Sequence, residues 1–381
     1  MRILSALAIA GAMLVATHPA AGQITKAPAA VTKRAIKVDT MAKGLVHPWG
    51  LALLPDGRLL VTERPGRMRI VGKDGKLSEP LQGVPPVYAS GQGGLLDVVL
   101  GPDFASSGLI YFSYGEPRGG GGSNGTTVAR ARLVTQGDGG RLDNFQVIFR
   151  QEPSFTSSAH FGSRIVFMPD GSLFITMGDR YSARDQAQNP GNHLGKLVRV
   201  LPDGRPHPDN PKRDGWRPEI WSIGHRNVQG AALNPASGRV WTIEHGARGG
   251  DEINVPQSGK NYGWPVITYG RDYSGAKIGE GTEKPGLEQP IYYWDPSIAP
   301  SGAAFYTRDL FPEWKGNLFV GALAGQALHR LVLDGEKVVG EETLLKDLHE
   351  RIRDVRQGPD GAIWLLTDDP QGRVLRVVPA S

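Results

Sequence analysis

The stretch IVFMPDGSLFITMGD, residues 165 to 179, decides the fold. An apolar run enters a Pro-Asp-Gly turn and leaves it as a second run rich in β-branched and aromatic residues, which is the pattern of a tight β-hairpin. The phrase returns as LALLPDGRLLVTE at 51 to 63, VVLGPDFASSGLIYFSY at 98 to 114, AALNPASGRVWTIEHG at 231 to 246, FPEWKGNLFVGAL at 311 to 323 and VRQGPDGAIWLLTDD at 355 to 369. A hairpin of this kind cannot bury both faces by itself, so the repeated units pack against one another in a ring. The expected fold is all-β, a six-bladed β-propeller with loops of varied length between blades. The segment RAIKVDTMAKGL at 34 to 45 precedes the first hairpin and RVLRVVP at 373 to 379 follows the last, so the two are expected to pair and close the ring. Asp56, Asp170 and Asp360 read as turn residues. The nearest helix candidate, DLHERIRDV at 347 to 355, has weak periodicity.

Outside the repeats, residues 1 to 22 read as a secretory leader: Arg2, an apolar run too short to span a bilayer, then small residues before Gln23. The expectation is a signal peptide followed by one propeller domain over 23 to 381, periplasmic or secreted, with any cofactor loaded after export. The chain has no cysteine, which excludes disulfides, thiolate metal ligands and a cysteine nucleophile. The 43 basic and 38 acidic residues are interspersed, so the net charge of +5 reads as a solvated surface with no nucleic-acid partner. No later segment is long and apolar enough to cross a membrane.

In a propeller the ligand site lies at one mouth of the channel, where loops from several blades meet. His160, in SSAHFGSRIVF, lies just before a strand on a loop of small residues, where an imidazole can take a proton at neutral pH. Arg226-Asn227 and the pair Arg351, Arg353 lie in other repeats and offer cationic and amide donors to an anionic ligand; singly, each arginine reads as a surface ion-pair former. The segment IEHGARGGDEINVPQSGKNYGWP, 243 to 265, is expected to be irregular, with no strand of its own. There Asp251, Glu252 and the carbonyl of Tyr262 suit one calcium ion, and the carbonyls of Gly246 and Ala247 a second. The competing reading is an exposed acidic loop balanced by Arg248 and Lys260.

Taken in order, GQGGLLDV, HFGSR, GHRNVQG, EHGARGGDEIN with KNYGWP, and RIRDV resemble the soluble dehydrogenases of glucose and other aldoses that use pyrroloquinoline quinone (PQQ), exported six-bladed propellers. The resemblance covers nearly the whole chain after the leader. It implies oxidation of aldoses at the anomeric carbon to lactones, with electrons passed to an external acceptor. It makes His160 the general base, with Arg226 stabilising negative charge on the reduced cofactor. Gln92, Arg226, Asn227, Arg351 and Arg353 become contacts of PQQ, and Trp294 an aromatic wall. Gly246 and Ala247 become ligands of a calcium ion shared with the cofactor, and Glu252 and Tyr262 ligands of a structural calcium.

Two departures from the family pattern stand out. Ala324 stands where glucose-oxidising members carry a cofactor-binding lysine, so that either cofactor affinity is weakened or another cation such as Arg248 substitutes, and Ala159 stands where some carry an acid beside the base. Two rival readings keep the scaffold and change the chemistry: a calcium-dependent lactonase, which has no need of the arginine cluster, and a binding propeller without catalysis.

Overall fold

The computed structural model describes residues 24–380. The expected leader, 1 to 22, lies outside the described residues. Six antiparallel sheets stand in a ring, built as inner strand, hairpin, then outer strands. The inner strands are Pro48–Leu53, Leu95–Leu100, Ile165–Phe167, Val228–Leu233, Pro300–Phe305 and Ile352–Gln357, and they define blades 1 to 6. Each packs against the next, and the last returns to the first. Five blades have four strands; blade 1 has three, and Leu77 adds a single bridge to its outer edge at Val71. Among the described residues the one α-helix is the four-residue Phe104–Ser107.

Blade 6 is assembled from both ends of the chain. Ile36–Leu45 pairs antiparallel with Gly372–Pro379, Val38 opposite Val377, so the ring closes by hydrogen bonds between the terminal segments. At the hairpin ends Asp56, Asp170 and Asp360 each accept the backbone N–H two residues on, at 2.9, 2.9 and 3.1 Å. These are the Asx turns that the Pro-Asp-Gly phrase favours.

Two local expectations are corrected. In FPEWKGNLFVGAL the first half is a 3-10 turn at Pro312–Trp314, not a strand; the inner strand of blade 5 is the small-residue PSGAAF of Pro300–Phe305. Trp314 and Phe311 instead stack at 4.0 Å in the core behind it. The segment 243 to 265 also contains a strand: Asp251–Asn254 pairs with both Val240–Glu244 and Tyr292–Trp294, and its neighbours supply the ladder that its own composition does not announce.

Hydrophobic clusters fill the spaces between blades. The channel itself is plugged by charge. Arg164 donates to Asp354 at 2.8 Å and to Asp97 at 3.3 Å, and Arg356 donates to the same two carboxylates at 2.9 and 2.7 Å. Asp97 also accepts the N–H of Ile165, and Asp354 that of Leu51. Arg164 further donates to the carbonyl of Gln229. Inner strands of blades 1, 2 and 6 are thus tied to the Arg164 turn that opens blade 3 and to blade 4. The plug divides the channel into two mouths, and the mouth at the Asx-turn end holds an aliphatic cavity of about 770 Å³.

Candidate active site

The candidate site lies at the opposite mouth. His160 is buried, at 5% exposure, and holds a left-handed backbone with φ 52°. Gln92 accepts its backbone N–H at 2.8 Å. A Cβ on Gly178 would come within 2.1 Å of the His160 carbonyl, so only glycine lets these two segments meet. Beyond Gly178, Asp179 places Oδ1 at 2.6 Å from His160 Nδ1. The same carboxylate accepts the Tyr181 N–H at 2.7 Å and, through Oδ2, the indole N–H of Trp264 at 2.7 Å. Asp179 is therefore fixed by donors from two loops and in turn fixes the imidazole. With Nδ1–H donated to the carboxylate, Nε2 keeps the free lone pair. Burial lowers the His160 pKa below its ordinary 6.5; Asp179 opposes the shift, while the charges of Arg226 and Arg180 add to it.

The His160–Asp179 pair opens into a cavity of about 320 Å³ that Arg226, Ala247 and Trp264 also line. Arg226 lies over the Trp264 ring, 5.2 Å from its centroid, and donates to the carbonyls of His245, at 3.2 Å, and Gly246. Behind the cavity, Asn227 accepts the N–H of Gly162 at 3.2 Å, and Arg353 donates to Gln229 and Asp368, both at 3.0 Å. His245 is half-buried, with Nε2 at 2.6 Å from the Pro300 carbonyl oxygen. Its pKa falls to about 3, through burial first and then the charges of Arg226, Arg353 and His160. Buried N–H groups on Arg226 (Nε), Asn227 (Nδ2) and Arg353 (Nε) have no partner among the described residues. Orphaned donors of this kind on three converging side chains fit an anionic ligand with several acceptors.

The remaining expected residues fall as follows. Gln92 is exposed and touches the His160 backbone. Arg351 is half-exposed and pairs with Asp368 at 3.1 Å. Trp294 is not brought to the cavity: it is buried between blades 4 and 5, donates to Glu341 at 2.8 Å and meets His329 edge-on. The strand alternation that turns it into that core removes it from the mouth, and the tryptophan that lines the cavity is Trp264 of the KNYGWP motif. Where Ala159 offers no carboxylate, Asp179 brings one to the imidazole from a different loop. Beside the exposed Ala324, Lys346 Nζ donates to the Gly325 carbonyl, and Arg248 is exposed next to Ala247.

The acidic segment divides its labour. Asp251 is consumed by four donors, Gly246 N–H, Ser297 Oγ, Ile298 N–H and Ala299 N–H, at 2.7 to 2.9 Å, so it shapes the loop and is not free for an ion. Glu252 has only an Asn254 amide at 3.3 Å, and burial and the neighbouring Glu244 push its pKa well up. Glu244, Glu252, Gly246 and Tyr262 line a void of about 10 Å³. That is room for one water-sized occupant. Among the described residues no three acidic or histidine side chains cluster as metal ligands. Two carboxylates supplemented by backbone oxygens fit calcium better than a transition metal.

A ring of six four-stranded or nearly four-stranded blades, with a His-Asp pair and unpaired cationic donors at one mouth, is the architecture of a propeller enzyme. The glucose/sorbosone dehydrogenase family model matches residues 45–376, and the chain belongs to this family. It is 48% identical over 349 residues to the aldose sugar dehydrogenase YliI of Escherichia coli K12, covering 90% of this chain and 93% of that one. A crystal structure of a glucose dehydrogenase superposes with a TM-score of 0.87 at 53% identity, over 91% of this chain and 100% of the other. The PQQ-bound aldose sugar dehydrogenase of Streptomyces coelicolor superposes with a TM-score of 0.75 at 31% identity, over 92% and 100% of the two chains.

Proposed function

We propose that the chain is an exported aldose dehydrogenase dependent on PQQ and calcium. It oxidises the anomeric carbon of aldoses to lactones and passes electrons to an external acceptor. The observation that carries the reading is the buried His160–Asp179 pair opening into the same cavity as Arg226, whose Nε is unpartnered. Residues 1 to 22 act as the leader, and 23 to 381 form the catalytic domain.

Arg226, Asn227 and Arg353 would hold the carboxylates and quinone oxygens of PQQ, with Trp264 as the flat wall. Gly246 and Ala247 would give carbonyls to one calcium, and Glu252 and Tyr262 would belong to a second beside Glu244. When bound, the quinone supplies the carbon that accepts a hydride from the sugar's C1–H. His160 Nε2 takes the proton of the anomeric hydroxyl, so loss of hydride and proton together leaves C1 as the lactone carbonyl. Asp179 holds the imidazole in the accepting tautomer and compensates the positive charge that it gains. Arg226 supplies a fixed positive charge where negative charge develops. Burial of the site excludes the water that would weaken these interactions.

Adding PQQ and calcium to the purified protein should raise its thermal midpoint and permit dye reduction with aldoses; a chelator should reverse both. No turnover at saturating cofactor would remove the assignment.

A further inference from the structure

The mouth of the His160 cavity carries two tyrosines with no part in the proton transfer. Tyr181 is 52% exposed and Tyr273 60%, two of the few large apolar side chains left open to solvent among the described residues, and both line this cavity. They come from different loops. Tyr181 follows the second strand of blade 3, is held by its N–H on Asp179, and sets its ring edge-on to His160 with centroids 5.3 Å apart. Its left-handed φ of 66°, next to Arg180 at 60°, is a conformation that side chains seldom hold without reason. Tyr273 sits at the tip of a turn in blade 4 that Asp272 closes by accepting the N–H of Ser274 at 3.0 Å. Neither phenol makes a hydrogen bond among the described residues. Between the loops, Arg184 and Asp272 approach to 3.8 Å with side chains 45% and 41% exposed, an ion pair weak enough to exchange partners.

An exposed aromatic pair on the rim of a polar cavity marks a ligand surface. A sugar presents an apolar C–H face and a polar edge of hydroxyls, and these four side chains offer the complement of both. A ring whose anomeric hydroxyl reaches His160 must leave its far side at this mouth.

We propose that Tyr181 and Tyr273 determine substrate specificity: the two rings grip the C–H face of a neutral cyclic aldose while Arg184 and Asp272 bond its outer hydroxyls. The proposal rests on the dehydrogenase reading only for which carbon reacts.

The test is calorimetric binding of anhydroglucitol, a cyclic sugar without the anomeric hydroxyl, to PQQ- and calcium-treated protein, with KM and kcat for glucose measured in parallel. Tyr273→Ala should weaken anhydroglucitol binding and raise KM about tenfold each while leaving kcat within about twofold, and Tyr273→Phe should behave as wild type, since the ring is what is used. Tyr181→Phe should also retain binding, and Tyr181→Ala should lose it. Unchanged binding and KM in Tyr273→Ala would overturn the proposal and leave the dehydrogenase reading standing. Binding that depends on Tyr273 in a protein that does not oxidise glucose would support the grip and overturn the dehydrogenase reading instead.

Discussion

In the proposed reaction His160 acts as a base only while neutral, and its surroundings favour that form. Burial and the charges of Arg226 and Arg180 lower its pKa from 6.5, and Asp179 restores part of the shift. Activity in the proposed reaction should therefore rise with pH through a value below the ordinary histidine range and stay flat at neutrality. Asp179→Asn should move that acid limb lower still, because the group raising the pKa is gone. It should also cost about 10²- to 10⁴-fold in plateau rate, because the tautomer is no longer imposed. A pH profile of kcat/KM for the two proteins checks both. The candidate histidine was legible in the sequence from its motif; its partner was not, because the neighbour in the chain is Ala159 and Asp179 lies 19 residues on. A signal existed. An acid ends or follows the second strand of the repeat at Glu63, Asp179, Glu244 and Asp368. In the structure these carboxylates accept from Val46 N–H, His160, Arg226 N–H and Arg353 in turn.

At the level of the element, hairpins were readable because their information is local: a turn that needs Asp and Gly, flanked by apolar strands. Strands whose reason lies in their neighbours were not. Pro300–Phe305 is built of small residues because it runs against adjacent blades: a Cβ on Gly302 would meet the backbone of Asp354 and Val355 at 2.7 and 2.8 Å. Trp294 was assigned by motif to the mouth, but its side of the strand is decided by pairing with Asp251. The channel plug was invisible for the same reason, since Asp97, Arg164, Asp354 and Arg356 meet only when the blades do. Removing one member leaves buried charge uncompensated. Arg164→Met should destabilise the fold by about 3–5 kcal/mol, read as a lower urea midpoint at an unchanged m-value. A change within about 0.5 kcal/mol would mean the plug is dispensable.

Across the whole molecule, the closed ring brings distant loops to one mouth: His160 before blade 3, Arg226 before blade 4, Trp264 within blade 4 and Arg353 in blade 6. The fold class was legible in the count of hairpins, and the candidate site in the order of motifs. Which atoms remain unpaired followed only from the assembled ring. Glu244 and Glu252 facing one small void predict that calcium raises the thermal midpoint and that Glu252→Gln abolishes the rise. An equal calcium effect in the variant would place the ion elsewhere. In the proposed reaction the imidazole at 160 moves the proton in a site whose cationic groups hold the quinone. The most direct measurement is dye reduction with glucose by wild type and His160→Gln, both loaded to the same PQQ absorbance in calcium. The prediction is turnover in wild type and a loss of about 10²-fold or more in the variant at equal cofactor occupancy; equal rates in the two proteins would contradict it.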